Sequence, residues 1–228
     1  MAQLEGRVAV VTGAGDGIGA AIARRYVAEG ARVVIAELDE TRGRAVADEL
    51  DDRAVFVATD AGDKDQVEAA VAAAVTAFGG LDILVNNAWG GGRISRVEQK
   101  TPELLAHGLA VGFTGPLWAM IAAHGVMKPR GYGRIVNLCS LNGVNAHMGT
   151  LEYNAAKEAL RTATRTAARE WADTGIVVNA LCPAAKSASF RAVMSEHPEL
   201  EAAADASNPM GRIGDADDDI APVAVFLA

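Results

Sequence analysis

Residues 7–30 read RVAVVTGAGDGIGAAIARRYVAEG, and this stretch decides the fold. The run from Arg7 to Gly13 is short, apolar and β-branched, which predicts a buried strand, and the pattern that follows it is helical. The turn between them holds Gly13, Gly15, Gly17 and Gly19. Glycines there permit positive φ and let a pyrophosphate approach the backbone N–H groups at a helix N-terminus. The alternative is a turn that is merely tight, so the context of strand and helix is what favours a phosphate site.

The next strand-like run, ARVVIAE, ends at Glu37. In a Rossmann unit an acidic residue at this place accepts hydrogen bonds from the adenosine ribose. The same carboxylate repels a 2′-phosphate, by about 4 kcal/mol for unit charges ~4 Å apart at an effective dielectric near ~20, before screening. Asp16 inside the glycine turn and Leu38 after the strand add no positive charge. These residues therefore predict NAD as the cofactor in preference to NADP.

Later segments continue the alternation of strands and helices. Strands are predicted at 54–60, 81–88, 133–139 and 175–183, with helices at 63–80, 101–128 and 153–172. This alternation predicts an α/β fold, a doubly wound parallel sheet with helices on both faces, as one Rossmann domain over residues 1–228. Ligands are expected at the carboxyl ends of the strands, where the polar motifs fall.

Three side chains in the stretch SLNGVNAHMGTLEYNAAK suit proton transfer. Tyr153 and Lys157 are four residues apart in a helical pattern, so they share one face of the helix. Ser140 ends the strand before them and can hold a carbonyl oxygen. A phenol titrates near ~10, and a neighbouring ammonium is expected to lower that pKa by roughly 1–3 units. The set predicts a general acid/base site, although a Tyr four residues before a Lys is common on surface helices.

Composition excludes several other classes of protein. The net charge of −8 and the lack of a basic block argue against nucleic acid and anionic membranes as partners. The N-terminus has no signal-peptide pattern, and we find no uninterrupted apolar run of about 18 residues, so we expect a cytoplasmic protein. Cys139 and Cys182 read as small buried thiols. No metal is expected, because His107, His124, His147 and His197 show no metal-ligand spacing.

Together these motifs resemble the classical short-chain dehydrogenase/reductase family from Arg7 to the last residue. The resemblance rests on TGAGDGIG at 12–19, NNA at 86–88, the Ser140, Tyr153 and Lys157 set, VNALCP at 178–183 and the segment 208–228. It implies that Tyr153 is the general acid/base, that Ser140 holds the substrate oxygen and that Lys157 binds the nicotinamide ribose.

The resemblance also implies the cofactor contacts. Asp60 would contact adenine, and Asn87 would steady the strands on the cofactor side. The expected set is Gly13, Gly15, Asp16, Gly17, Ile18, Gly19, Glu37, Asp60, Ala61, Asn87, Ala88, Tyr153, Lys157 and Pro183.

Three positions depart from the family pattern. Gly112 occupies the place of an Asn to which the resemblance assigns a water in a proton relay. There is room for a further water, and a tolerated variant is favoured over loss of activity. Trp89 replaces a glycine after NNA, and it either forms a wall of the substrate pocket or packs under a loop. Ala184 replaces the Gly after Pro183, and no Thr follows, so Ser187 or Ser189 is left to contact the carboxamide.

The substrate pocket is predicted to be mainly apolar. Its candidate residues are Trp89, Leu141, Asn142, His147 and Met148, with Phe190 and Met194 in a lid around 184–209. A neutral or weakly polar secondary alcohol fits this set, and His147 is expected to be a surface residue rather than a second acid/base. Two alternatives stay open: an NADPH-dependent 3-oxoacyl reductase of the same fold, and a dinucleotide-binding protein with little catalysis.

The resemblance also implies assembly and a longer chain. We expect a homo-oligomer, a tetramer or a dimer, in which helices near 101–128 and 153–172 form a subunit contact. The family continues into a final strand where this sequence stops at Ala228, which would leave a parallel edge exposed. We therefore expect the source protein to exceed 23.6 kDa in mass.

Overall fold

Six parallel strands form the sheet of the computed structural model, which describes residues 2–185, 202, 205–206 and 208–228. They are β1 (Val8–Thr12), β2 (Arg32–Glu37), β3 (Ala54–Ala58), β4 (Ile83–Asn86), β5 (Gly133–Leu138) and β6 (Ile176–Leu181). Their order is β3-β2-β1-β4-β5-β6, and every neighbouring pair is parallel. The predicted Rossmann fold is therefore confirmed, with its topological switch point between β1 and β4.

Eight α-helices connect and follow the strands in the described residues. They are α1 (Gly17–Ala28), α2 (Glu40–Glu49), α3 (Lys64–Phe78), α4 (Pro102–Leu109), α5 (Gly115–Met127), α6 (Leu141–Asn145), α7 (Leu151–Glu170) and α8 (Ala221–Leu227). Side-chain caps explain several starts: Asp39, Asp63 and Thr101 each accept a hydrogen bond from a backbone N–H in the first turn of α2, α3 and α4.

The helices cover both faces of the sheet. Ile22 and Tyr26 of α1 pack with α8 on one face, whereas Met120 of α5 and Leu160 of α7 pack with α3 on the other. All four side chains are fully buried. Burying a side chain of this size contributes about 1.5–3 kcal/mol relative to leaving it exposed, so both layers help to fix the sheet.

A buried polar chain ties the centre of the sheet to α7. The side-chain amide of Asn86 donates to Asn137 Oδ1 at 2.8 Å, and Asn137 Nδ2 donates to Thr164 Oγ1 at 2.8 Å. Buried amides of this kind must be hydrogen-bonded to be tolerated. The chain therefore fixes β4 and β5 against the helix that carries Tyr153.

The long helical region predicted at 101–128 is interrupted. A π-helical turn, Ala110–Thr114, separates α4 from α5 and contains Gly112. By length and composition alone, Pro102–Arg130 is the single stretch of the described residues that qualifies as a membrane span, although it contains no uninterrupted apolar run of 18 residues. Ala119, Met120 and Ala123 of α5 are fully buried against the sheet, and a core helix passes the same test.

In the described part of the chain, β6 is the edge strand beyond β5. After Pro183 the chain pairs briefly with a later segment, since Gly214 N donates to Ala184 O at 2.9 Å. Most of the predicted lid, with Ser187, Ser189, Phe190 and Met194, lies outside the described residues.

Candidate active site

A cleft of about 720 Å³ runs along the carboxyl ends of the strands, from Glu37 at one end to Tyr153 at the other. It brings together most of the predicted site residues. Those that line it are Gly13, Asp16, Gly17, Ile18, Glu37, Asp60, Ala61, Asn87, Ala88, Trp89, Asn142, His147, Tyr153, Lys157 and Pro183.

Five predicted residues lie beside the cleft rather than on its wall. Gly15 and Gly19 shape the turn from behind, and Ser140 is buried at the N-terminus of α6. Leu141 and Met148 are 55% and 88% exposed, respectively, at the surface of the segment between β5 and α7.

The glycine turn has the shape of a phosphate cradle. A Cβ at Gly13, whose φ is +64°, would lie 2.8 Å from Ala88 Cα, and one at Gly19 would lie 2.2 Å from Gly13 O. No side chain fits at either place, and at Gly13 the backbone itself lines the cleft. Asn87 ties β4 to the turn, because its Nδ2 donates to Thr12 O and Gly13 O, both at 3.0 Å. That contact agrees with the steadying role expected for Asn87.

Glu37 holds the turn at the other end of the cleft. Its Oε2 accepts from Gly15 N at 3.0 Å, and its Oε1 accepts from Leu38 N at 2.8 Å and Asp39 N at 3.0 Å. Three backbone N–H groups therefore fix the position of this carboxylate. A fixed negative charge therefore stands at the place where the sequence put the ribose-binding acid.

Arg42 is a cation that the sequence analysis overlooked. It lines the same end of the cleft from α2, with Nε 3.3 Å from Asp39 Oδ2 and Nη1 3.8 Å from Asp16 Oδ2. Its place in the first turn of the helix after β2 was a usable signal. Since Asp16, Asp39 and Glu37 surround it, the charge at this end of the cleft remains negative.

Asp60 shapes the adjoining wall, after β3. Its Oδ1 accepts from Gly62 N at 2.8 Å, and its own N–H donates to Gln66 Oε1 at 2.8 Å. The loop is thereby held at the start of α3, with Asp60 and Ala61 facing the cleft as predicted.

The proposed catalytic side chains converge at the other end. Ser140 Oγ accepts from Asn142 N at 3.1 Å, which leaves its hydroxyl proton for donation toward the cleft. Lys157 is almost fully buried and its Nζ donates to Leu138 O at 2.7 Å. Tyr153, one turn earlier on α7, is half-buried between them and Trp89.

The ionisation of this pair differs from the expectation. Burial raises the pKa of Tyr153 above its ordinary value, and a hydrogen bond with Ser140 acts in the opposite direction. Burial also lowers the pKa of Lys157 to about 8. The expected lowering of the phenol pKa by Lys157 is therefore wrong for the protein alone. The ammonium is directed at Leu138 O, and its Nζ lies 5.8 Å from the Tyr153 ring centroid.

Trp89 and Gly112, two of the three positions that depart from the family pattern, contact each other. The Trp89 ring contacts Tyr153 edge-on, with centroids 4.7 Å apart, and it lies against Gly112. The indole thus lies in the space beside Gly112 where a water was considered. Trp89 also lines the cleft, in agreement with a role in the pocket wall.

A buried ion pair beside Tyr153 was not foreseen. Lys100 Nζ lies 2.6 Å from Glu152 Oε2, and the two side chains are 6% and 2% exposed, respectively. Arg93 N donates to Glu152 Oε1 at 2.8 Å. Hydrogen bonds from Lys100 and Arg93 outweigh the effect of burial and hold the pKa of Glu152 below its ordinary value. Nothing in the sequence links positions 100 and 152, since the contact joins distant segments.

The histidines divide between the cleft and elsewhere. His107 and His147 line it, whereas His124 stacks on Trp171, with ring centroids 4.6 Å apart. Within the described residues no group of His, Cys, Asp and Glu side chains could hold a metal ion.

Comparison with known proteins places this geometry in context. Residues 7–199 match the family model described as short chain dehydrogenase. A 3-alpha-(or 20-beta)-hydroxysteroid dehydrogenase of Mycobacterium tuberculosis is 40% identical over 181 residues, which is 79% of this chain and 69% of that protein. A galactitol 2-dehydrogenase (L-tagatose-forming) of Cereibacter sphaeroides is 37% identical over 229 residues, 99% of this chain and 89% of that protein.

A solved structure matches equally well. The 3-ketoacyl-(acyl-carrier-protein) reductase from Brucella melitensis, complexed with NADH, superposes with a TM-score of 0.91 at 34% identity. The match covers 98% of this chain and 91% of that one.

Proposed function

The chain belongs to the short-chain dehydrogenase family, an oxidoreductase family acting on CH–OH groups, and on that basis we propose that it moves a hydride between NAD and a secondary alcohol or its ketone. The observation that carries this proposal is the convergence of Ser140, Tyr153 and Lys157 at one end of a cleft whose other end is the glycine turn.

Tyr153 is proposed to exchange the proton of the reacting oxygen. In the direction of ketone reduction its phenol donates that proton, and in the direction of alcohol oxidation its phenolate accepts it. Ser140 donates a hydrogen bond to the same oxygen, since its Oγ already accepts from Asn142 N. Lys157, which is fixed by Leu138 O, supplies a positive charge beneath the site and a contact for the ribose.

The residues of the cleft fit a nicotinamide dinucleotide. The side-chain-free backbone at Gly13 suits the pyrophosphate, and Glu37 suits the ribose hydroxyls. When bound, the nicotinamide ring supplies or accepts the hydride. The structural neighbour from Brucella melitensis is described as complexed with NADH, which supports the choice of NAD.

The substrate is proposed to be neutral and largely apolar near the reacting carbon. Trp89 and Ile94 line the substrate end of the cleft, and Ile94 is 70% exposed at its rim. Arg93, His107 and His147 lie farther along the same wall, where they can bind hydroxyl or carbonyl groups. A hydroxysteroid dehydrogenase and a galactitol dehydrogenase among the relatives support a secondary hydroxyl as the reacting group.

The direct test follows reduced-nicotinamide absorbance with NAD⁺ or NADP⁺ over a panel of sterols, polyols and 3-hydroxyacyl thioesters. Turnover with NAD⁺ on a secondary alcohol is the expected result. A preference for NADPH on 3-oxoacyl thioesters would favour the reductase of the same fold instead. Tight NADH binding with no turnover on any substrate would favour a dinucleotide-binding protein.

The choice between NAD and NADP is expected to depend on Glu37. Replacing Glu37 with Ser removes the fixed carboxylate and leaves Arg42 to attract a 2′-phosphate. The repulsion between Glu37 and a 2′-phosphate is about 4 kcal/mol for a close pair before screening. Loss of about a third of it should change the ratio of kcat/KM for NADP to that for NAD about tenfold in favour of NADP. Glu40→Gln is the control, because it removes the same charge from a residue that pairs with Arg44 at the surface. An unchanged ratio of the two kcat/KM values in Glu37→Ser would show that Glu37 does not determine the preference for NAD over NADP.

We also propose that the chain forms a homo-oligomer through α5 and α7. A groove of about 640 Å³ runs between these helices, and Ile121 is 46% exposed in it. Other apolar residues of the groove are Phe113, Leu117, Met120, Ala159, Ala163 and Ala167. An exposed apolar surface of this kind favours a protein partner, and a second copy fits the self-complementary symmetry of a dimer.

A charge in this groove is expected to break the assembly. Ile121→Asp should shift the protein to monomer in size-exclusion chromatography with light scattering. Val75→Asp, which places the same charge on an exposed site of α3 outside the groove, should leave the mass unchanged. A wild-type monomer would refute the oligomer.

A further inference from the structure

Trp89 lies behind the proposed acid/base rather than at the mouth of the cleft alone. It follows β4, and its ring meets the Tyr153 ring at 72° with centroids 4.7 Å apart. Lys157 Nζ lies 5.8 Å from the centroids of both rings. The edge-on arrangement is one that aromatic pairs prefer. The indole is therefore a direct neighbour of the phenol and of the ammonium.

Gly112 makes the room for this ring. A Cβ at Gly112 would lie 2.8 Å from Trp89 Cζ3, 3.2 Å from its Cε3 and 2.8 Å from Ala156 Cβ. The backbone of Gly112 does not have a positive φ, so its conformation does not require glycine. Space is the reason for glycine here, and the indole takes most of that space.

The loop that carries Trp89 is held in place from its far end. Lys100 forms the buried ion pair with Glu152, the residue before Tyr153, and also donates to Arg93 O at 2.5 Å. Ser95 N donates to Gly149 O at 3.0 Å. The loop is thus fastened to the start of α7, the helix that carries Tyr153.

We propose that Trp89 is a positioning residue for Tyr153, and that Gly112 is the position that admits its indole. This inference rests on the proposed function, because it assigns a role at the same site. A side chain at 112 and an indole at 89 compete for one volume, so the two positions act as a unit. Residues that contact each other in this way give non-additive effects.

A double-mutant cycle tests the unit. The variants are Trp89→Gly, Gly112→Ala and the double variant, each measured for kcat, NADH affinity and thermal midpoint. In the Trp89 background, Gly112→Ala should lower kcat about tenfold, because the methyl displaces the ring. In the Trp89→Gly background the same change should cost less, because only the contact with Ala156 Cβ remains. Gly125→Ala is the control, since a Cβ at that helical glycine meets nothing within 4 Å.

Two further measurements separate positioning from mere packing. Trp89→Gly should lower kcat about tenfold while NADH affinity stays within about twofold, because the contact is with Tyr153 and not with the nucleotide turn. Trp89→Phe should restore most of kcat, since a phenyl ring keeps the edge contact.

Equal losses of kcat for Gly112→Ala in both backgrounds would show that positions 89 and 112 do not act together. A kcat unaffected by Trp89→Gly would overturn the positioning role, even where turnover still depends on Tyr153. Absence of turnover in the wild-type protein would instead overturn the proposed function and the positioning role together. The thermal midpoints of the cycle would still report whether positions 89 and 112 share one volume.

Discussion

Tyr153→Phe should lower kcat about a thousandfold, the range that general acid/base catalysis supplies. The substitution removes a single hydroxyl and keeps the ring that packs against Trp89, so the shape of the site is retained. Ser140 and Lys157 remain in place, but the group proposed to exchange the proton of the reacting oxygen is missing. The decisive measurement is single-turnover hydride transfer at saturating cofactor and substrate.

Binding and fold serve as internal controls for this variant. NADH affinity should stay close to that of the wild type, since the glycine turn and Glu37 are remote from the hydroxyl. Tyr132→Phe is the matched control: that hydroxyl donates to Ala228 O at 3.0 Å, outside the cleft, and its loss should leave kcat within about twofold. A Tyr153→Phe enzyme with near-normal turnover would show that another group carries the proton.

The raised pKa of Tyr153 predicts opposite pH dependences for the two directions of the reaction. The phenol stays protonated near neutral pH, so ketone reduction has its acid ready, whereas alcohol oxidation needs the phenolate and should rise with pH. In the protein without cofactor, burial raises the pKa of Tyr153 and so sets this pH dependence.

Local patterns in the sequence were sufficient for the fold. The apolar run before Gly13, the acid at Glu37 and the alternation after them fix a parallel sheet, because each crossover has one favoured hand. The same reasoning placed the site, since motifs at strand ends meet at one edge of the sheet. Ser140, Tyr153 and Lys157 converge for that reason.

Contacts between distant segments were beyond such reasoning. Gly112 and Trp89 looked like two separate departures, and only their shared volume in three dimensions shows that one accommodates the other. The Lys100 and Glu152 pair has the same character, since neither residue has a distinctive local pattern. The pKa of Tyr153 also depends on burial by several segments, which spacing along one helix does not reveal.

The stability of the cofactor-free protein should report the buried charge of Lys157. Its pKa is about 8 in the folded protein, compared with 10.5 for a free lysine, so the unfolded chain binds more protons between these two values. Stability contributed by this group therefore rises with pH across that window and is lowest below pH 8. From pH 7 to pH 9.5 the gain amounts to about 2 kcal/mol in the free energy of unfolding.

Lys157→Met should abolish this gain while lowering kcat about a hundredfold. The measurement is urea unfolding of both proteins at pH 7 and pH 9.5. The difference in the free energy of unfolding between the two pH values reports the charge alone. The hydrogen bond to Leu138 O is absent from the variant at both pH values, so its loss cancels. Lys128→Met, at an exposed lysine, should behave as the wild type does. If wild type and Lys157→Met changed in parallel with pH, the pKa of Lys157 would be the same in the folded and unfolded chain, which would contradict the lowering of that pKa by burial.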